Sequence, residues 1–520
     1  MLFNSFAFLL VFLPLSLLGY HLALKLGNTA SMAWLALCSL AFYGYWDVRY
    51  LPLILVSILF NYYAGRLLSP ARALPARDLV FGLSILVNIA VLVVFKYLGA
   101  LSGALADVGL LTQGQVIHLM LPLGISFFTF TQIAYLVDQR VGLAEDLGLI
   151  TYTVFVTFFP HLIAGPILHI REIGPQLTDR LRRTLTAERI AAGLLLFTMG
   201  MVKKTWIADP LAPVVETGYG HVDLLSGPAA WVVIFAYSLQ LYFDFSGYSD
   251  MAIGLAELFG IEFPVNFNSP YKARGAIDFW QRWHMTLSRY LTLLLYSPIA
   301  MWVTRRRASA GLPISARAVK EPLAFLQMIV FPTAVTMTIA GVWHGAGLQY
   351  LVFGLCHAFL LIANHFWRTY FPPPKRAKPV AAKPSRFTPA LEVLATFLAV
   401  SLTFVFFRAR SFADALTVLG VAFHAPGLFT VPAIPEALTD TGFTVDRALL
   451  LRLLACAVAV WALPNSQQVL ARFRKRGGDG LQWLIGNRVG MLLGGSATGV
   501  ALLACAIRFG HKSEFLYFQF

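Results

Sequence analysis

The chain has 520 residues, of which 58% are apolar and only 12% are charged, and its formal net charge is +15. A soluble globular protein carries about 25% charged residues, so this composition excludes that class and predicts a multi-spanning integral membrane protein. No alternating ten-residue segments of a membrane barrel are evident, and the predicted fold class is therefore all-α.

Apolar runs of membrane-spanning length recur along the whole sequence. The first covers residues 3–24 and is predicted to be a retained helix, because it lacks the basic start and small-residue cleavage site of a signal peptide. Further runs fall near residues 30–46, 50–65, 79–97, 116–137, 148–168, 190–208, 227–245, 276–303, 321–343, 347–367, 388–407, 447–463 and 485–507, with a shorter one at 248–263. Hydropathy thus predicts about 12 to 14 membrane-embedded segments.

Lysine and arginine cluster in five short breaks between these runs, near residues 66–77, 171–189, 305–320, 375–386 and 472–476. This is the pattern of cytoplasmic loops, and no basic face or nucleic-acid motif accompanies it, so no nucleic-acid partner is expected. The connection 411–446 contains four carboxylates and no lysine or arginine, which predicts the opposite side. Counting onward from the fifth basic loop places the C-terminus outside.

The loop FPPPKRAKPVAAKPSR has the proline- and lysine-rich composition of an extended linker. It divides the chain into predicted regions: N-terminal helices over 1–140, a core with the histidine motifs over 141–370, a cytoplasmic linker over 371–387, and C-terminal helices over 388–520.

Three histidines lie within apolar sequence: His161 in VTFFPHLIAGPIL, His284 in FWQRWHMTLS and His344 in AGVWHGAG. A polar ring at membrane depth is costly and often functional, although a hydrogen-bonded core ring is the structural alternative. His284 and His344 each follow a tryptophan, Trp283 and Trp343. A neutral imidazole is suited to take a proton from a hydroxyl and return it. His344 is therefore the general-base candidate, with His284 as an orienting partner or second acid or base.

Asp244 and Asp250 lie in SLQLYFDFSGYSDMAIG, where an unpaired charge would be expensive. One interpretation is a buried ion pair or helix cap that holds the bundle together. The functional interpretation makes Asp244 part of a polar wall beside the histidines, to which His161 also contributes. The candidate residues lack the spacing of a metal site, so neither a metal nor a bound cofactor is expected.

The chain ends in HKSEFLYFQF, with four aromatic residues at a terminus where frayed polar residues are usual. An aromatic belt at the membrane interface is the structural interpretation. The functional one is an outward-facing tail that docks a partner or reaches into the site and presents the Tyr517 hydroxyl.

Six ordered segments resemble the membrane-bound O-acyltransferase family, and in particular its alginate O-acetyltransferase-like bacterial branch. They span most of the chain and are LPLGISFFTFTQIAYLVD, FFPHLIAGPIL, QLYFDFSGYSDMAIG, FWQRWHMTLS, GVWHGAG and the FLYFQF ending. The resemblance implies a ring of helices, some broken or re-entrant, around a central tunnel that His344 and His284 line. It also implies that Tyr517 relays the acyl group.

The same resemblance implies a multi-pass protein of the bacterial inner membrane. Its donor would be acetyl-CoA or another cytoplasmic acyl thioester, and its acceptor an exported polysaccharide of alginate or cellulose type. A periplasmic or membrane-anchored esterase-like acyltransferase would be its partner, with membrane lipids around it. The chain departs from the family pattern after His284, with Thr292 and Leu293 where Arg and Asp are usual. The alternatives are acylation of a teichoic acid, a lipid or a protein, or a proton-coupled transporter.

Overall fold

The computed structural model describes residues 1–70, 72, 75–117, 119–179, 183–371, 387–424, 436–475, 488–509 and 515–516. Within these ranges the regular structure is helical and no strand occurs, which confirms the all-α class. The first ten helices are α1 (Leu13–Leu26), α2 (Asn28–Gly44), α3 (Leu51–Leu68), α4 (Arg77–Asp107), α5 (Ile125–Arg140), α6 (Leu149–Thr157), α7 (Ile170–Thr178), α8 (Ala187–Val202), α9 (Ala212–Gly220) and α10 (Gly227–Leu258).

The remaining helices follow in the second half of the chain. They are α11 (Ala276–Trp280), α12 (Met285–Leu291), α13 (Ser297–Ser309), α14 (Pro322–Phe325), α15 (Phe331–His344), α16 (Leu348–Tyr370), α17 (Phe387–Arg408), α18 (Phe412–Phe423), α19 (Glu436–Thr439), α20 (Arg447–Trp461), α21 (Ser466–Lys475) and α22 (Arg488–Ala506). Most of the predicted linker, residues 372–386, lies outside the described residues. The four-part division of the chain stays a prediction.

Eight helical segments in the described part of the chain are long and apolar enough to cross a membrane. They are Ala7–Leu26, Val48–Leu68, Arg77–Asp107, Ala187–Gly220, Gly227–Leu258, Pro322–His344, Leu348–Tyr370 and Pro389–Arg408. A ninth is added if Arg447–Trp461 and Ser466–Arg472 form one span. The higher predicted number counted shorter pieces such as α2, and it counted residues 248–263 separately although they continue α10. The multi-pass class is confirmed, whereas the ring around a tunnel stays a prediction.

The chain divides into two compact units. Unit 1 comprises residues 1–206, 243–265 and 466–520, and unit 2 comprises residues 207–242 and 266–465. His161, Asp244 and Asp250 therefore belong to unit 1, whereas His284 and His344, with their preceding tryptophans, belong to unit 2.

In unit 1, α8 and α10 approach closely at two pairs of glycines spaced seven residues apart. A Cβ atom on Gly200 would lie 2.4 Å from the carbonyl oxygen of Gly247, and one on Gly193 would lie 2.7 Å from that of Gly254. Small residues let helix backbones pack at such distances in membrane proteins. After α8 the chain widens into a π-helical turn, Lys203–Ala208, which begins with two lysines. This packing sets Lys203 and Lys204 opposite the carboxylates of α10.

In unit 2, α15 and α16 form a hairpin whose contact is again made by glycines. A Cβ atom on Gly341 would lie 2.8 Å from the Cα atom of Gly354, and one on Gly354 would lie 2.4 Å from the carbonyl oxygen of Met337. No larger residue fits at either position without moving a helix backbone. The hairpin thereby fixes the end of α15, where His344 lies.

Candidate active site

His344 is the last residue of α15 and its side chain is buried. Gly345 continues the chain in an extended conformation, and a Cβ atom there would lie 2.2 Å from the ring of Tyr350, so a side chain at this position would require that ring to move. The imidazole meets Phe407 edge-on at 4.9 Å between ring centroids and Phe353 at 5.8 Å. The imidazole thus packs among aromatic rings at the end of an apolar span.

The predicted single run over 276–303 is three short helices, and His284 lies at the break between α11 and α12. His284 has a left-handed backbone with φ of 42°, and among the described non-glycine residues only Ser269 shares a positive φ. A left-handed residue other than glycine costs about 1–2 kcal/mol, and such conformations cluster at functional sites. This turn directs the buried imidazole of His284 toward Asn266, which lies in the segment that precedes α11.

The side chain of Asn266 determines which nitrogen of His284 carries the proton. Its Oδ1 atom accepts the main-chain N–H of Thr286 at 3.2 Å and the Thr286 hydroxyl at 2.9 Å. A main-chain N–H only donates, so the amide atom there is the oxygen, and the His284 Nδ1 atom 3.0 Å away must also donate. His284 lies outside the candidate spans, and burial lowers its pKa to about 3. The ring is therefore neutral, with its basic lone pair on Nε2.

Replacing Asn266 with alanine is expected to lower the acyl-transfer rate by about 5- to 100-fold, because three buried donors lose their acceptor and the His284 ring loses its fixed tautomer. The rate is measured on purified protein in detergent at saturating donor. Asn465→Ala is the matched control, since Asn465 also donates to polar side chains of unit 2, those of Asn268 and Ser269. Equal rates in the two variants would contradict an orienting role for Asn266.

His357 is a buried histidine that sequence reasoning missed. Its Nδ1 atom accepts the indole N–H of Trp280 at 3.3 Å, so its Nε2 atom carries the proton and donates to the Thr403 hydroxyl at 2.9 Å. The ring of Phe353 lies 4.6 Å from the His357 ring and also contacts His344. His357 therefore links α16 to α11 and α17 by hydrogen bonds, next to the Phe353 ring that contacts His344. In the sequence it lies mid-helix, without a flanking tryptophan or glycine that would single it out.

His357→Ala is expected to destabilise the folded protein by about 2–4 kcal/mol, because the Trp280 N–H and the Thr403 hydroxyl lose a buried partner and a cavity replaces the ring. Unfolding by a denaturing detergent in mixed micelles measures the change. His365→Ala is the control on the same helix, because its half-buried side chain lines an open cleft and its removal leaves no closed cavity. A His357 variant no less stable than the His365 variant would contradict this structural role.

The two Trp-His motifs join one aromatic cluster in unit 2. The ring of Trp283 lies 5.3 Å from that of Phe404, which stacks on Phe353 at 6.3 Å. Phe353 in turn contacts His344. The two motifs are thus linked through Phe404 and Phe353, whereas the pairing and the catalytic roles of the two histidines stay predictions.

A cleft of about 280 Å³ opens in unit 2 between α11, α12, α15 and α16. Its lining includes the polar side chains of Gln281, Ser288, Thr292, Thr333, Thr336 and His365. Met337, which also lines it, precedes His344 by two turns on the same face of α15. Thr292, one of the two positions at which the chain departs from the family pattern, is thus in the cleft wall.

The candidates in unit 1 have close partners. The Nε2 atom of His161 lies 3.1 Å from the carbonyl oxygen of Phe155, which makes it a buried, hydrogen-bonded ring. Asp244 accepts from Lys204 at 2.7 Å, and Asp250 accepts from Lys203 at 2.6 Å. The ion-pair interpretation of both carboxylates therefore has a geometric basis. Tyr517 lies outside the described residues, whereas the two residues before it, Phe515 and Leu516, are buried.

These features define a multi-pass, all-helical membrane protein with buried histidines in broken and helix-ending positions. The chain belongs to the membrane-bound O-acyltransferase family, whose family model matches residues 41–310. The expected resemblance is thereby confirmed, and the protein is a membrane O-acyltransferase. Both Asn266 and His284 fall within the matched range, whereas His344 follows it.

Several characterised or named relatives are similar over most of their length. A peptidoglycan O-acetyltransferase of Helicobacter pylori is 37% identical over 450 residues, which is 81% of this chain and 79% of the relative. A probable alginate O-acetylase AlgI of Pseudomonas aeruginosa is 36% identical over 423 residues, covering 79% of this chain and 72% of the relative. A teichoic acid D-alanyltransferase of Bacillus subtilis is 28% identical over 291 residues, covering 56% and 69%.

Proposed function

We propose that the protein transfers an acyl group, with acetyl favoured, from a cytoplasmic thioester to a hydroxyl group of an exported glycan. The observation that carries the proposal is the placement of His344: a buried imidazole in an aromatic wall at the very end of an apolar span. The relatives named for peptidoglycan and alginate O-acetylation support a glycan acceptor. Membership of an enzyme family favours this activity over the proton-coupled transporter.

In the proposed reaction the His344 imidazole removes the proton of the acceptor hydroxyl as its oxygen attacks the thioester carbonyl carbon. The C–S bond breaks, the ester forms, and the departing thiolate takes the proton back from His344. His284, held with its basic nitrogen on Nε2, orients the donor or acceptor. The threonines and Ser288 of the cleft supply hydroxyl groups for a polar thioester arm, and acetyl-CoA is the proposed donor.

We place the protein in the inner membrane with its C-terminus outside, and its partner is an esterase-like acyltransferase beyond the membrane that completes delivery to the glycan. The five basic loops support this orientation. In a relay, the Tyr517 hydroxyl would be the first acceptor that attacks the thioester. A hydroxyl of the partner would then attack the tyrosyl ester, and the Tyr517 oxygen would leave and take back a proton.

The test uses purified protein in liposomes with radiolabelled acetyl-CoA, together with cells that lack the gene. Wild-type protein is expected to consume the thioester in a His344-dependent manner. The mutant cells are expected to lose base-releasable acetate from one glycan fraction and to regain it with the wild-type gene. Loss from a teichoic acid, lipid or protein fraction instead would move the acceptor to that class. Unchanged acetate in every fraction, without thioester turnover, would overturn the proposal.

A further inference from the structure

Two buried residues of the C-terminal segment contact a buried ion pair of unit 1. Phe515 and Leu516 are 1% and 7% exposed. The contacts around these two residues show what holds them.

Both the main chain and the side chain of the segment are recognised. Asp244 accepts the main-chain N–H of Leu516 on Oδ2 at 2.9 Å, while its Oδ1 accepts from the Lys204 ammonium at 2.7 Å. The same ammonium lies 4.6 Å from the centroid of the Phe515 ring, which meets Tyr248 edge-on at 4.8 Å. We call Lys204, Asp244 and Tyr248 the C-terminal seat.

A second ion pair in unit 1 shows that this arrangement is more than a way to neutralise a buried charge. Lys203 pairs with Asp250 on the same two elements, and Asp250 then accepts from the side chains of Ser466 and Gln467 in α21. That pair joins helices through side chains. The Lys204–Asp244 pair instead receives a main-chain N–H and an aromatic ring from the end of the chain, so it fixes the register of the segment as well as its position.

We propose that the C-terminal segment is an intramolecular ligand of this seat and that acyl transfer requires the seat to be filled. Lys204 and Asp244 are then positioning residues. They hold Leu516 by its main-chain N–H and Phe515 by its ring. The activity part of this proposal rests on the proposed function, whereas the docking part does not.

The first experiment removes one hydrogen bond and leaves the ion pair intact. Leu516→Pro deletes the N–H donor, and Leu516→Ala shortens the side chain but keeps that donor. A hydrogen bond to a charged group is worth about ten- to a hundredfold in an equilibrium constant, so the proline variant is expected to turn over that much more slowly than the alanine variant. Their thermal unfolding midpoints should agree. Equal turnover in the two variants overturns the requirement for a filled seat.

The second experiment measures docking without any turnover. Leu516→Cys keeps the N–H and places a thiol at a buried position, and its maleimide labelling is compared in the Asp244→Asn and Asp250→Asn backgrounds. The expected result is about a tenfold or larger increase in labelling with Asp244→Asn and none with Asp250→Asn. Equal labelling in both backgrounds overturns the seat. If wild-type protein shows no thioester turnover but labelling follows this pattern, the proposed function fails and the docking stands.

Discussion

His344→Ala is expected to lower the acyl-transfer rate by about 10² to 10⁴-fold while the protein remains folded in the membrane. The physical reason is the loss of the group that removes the acceptor proton, since the rings of Phe353 and Phe407 that contact it cannot act as bases. The fold should persist because His344 is the last residue of α15, and the α15–α16 contact is made by Gly341 and Gly354. Initial rates with labelled acetyl-CoA, at equal amounts of monodisperse protein, measure the change.

Phe407→Leu is the matched control, because it removes an aromatic contact to His344 but keeps the imidazole. Its rate is expected to fall by less than about 10²-fold, since a misplaced base costs less than a missing one. Added imidazole should restore part of the rate to the His344→Ala protein, by filling the vacated space with a base, and should leave Phe407→Leu unchanged. Near-normal acetate on the acceptor in His344→Ala would remove the assignment of His344 as the general base.

The sequence was most informative where burial in a membrane leaves few alternatives. Hydropathy found the long spans because each needs about 20 apolar residues, and every polar ring or carboxylate inside an apolar run stood out against that background. His344, Asp244 and Asp250 were recognised in this way. What could not be predicted was the partner of each group, since Lys203 and Lys204 lie 47 and 40 residues from the carboxylates that they contact.

The local backbone geometry could not be predicted from the sequence, for a different reason. The run over 276–303 is mostly apolar, although it includes Asp278, Arg282 and Arg289. Hydropathy does not report the left-handed turn at His284 or the Asn266 amide that receives its Nδ1–H. His357 was missed because a histidine inside a regular helix has no distinctive neighbours in sequence. Its importance depends on Trp280 and Thr403, which α11 and α17 bring to it only after folding.

Removing one partner of the Lys203–Asp250 ion pair is expected to destabilise the folded protein strongly, whereas replacing both partners is expected to cost much less. Asp250→Ala should destabilise the protein by about 3–5 kcal/mol, because the largely buried Lys203 ammonium is left without its counter-ion. Ser466 and Gln467 of α21 lose their acceptor in the same step. Unfolding in mixed micelles with increasing denaturing detergent measures the change against wild-type protein.

The double variant Lys203→Met, Asp250→Leu decides between the structural and the functional interpretations of Asp250. Since it removes both charges and keeps the volume, it should regain more than half of the stability lost in Asp250→Ala. If the pair only holds α10 to the turn after α8 and to α21, the folded double variant should also regain its acyl-transfer rate. A stable double variant that stays inactive would mean that the carboxylate itself is needed for the reaction. The ion pair with Lys203, at 2.6 Å, would then serve to hold that carboxylate in place for the reaction.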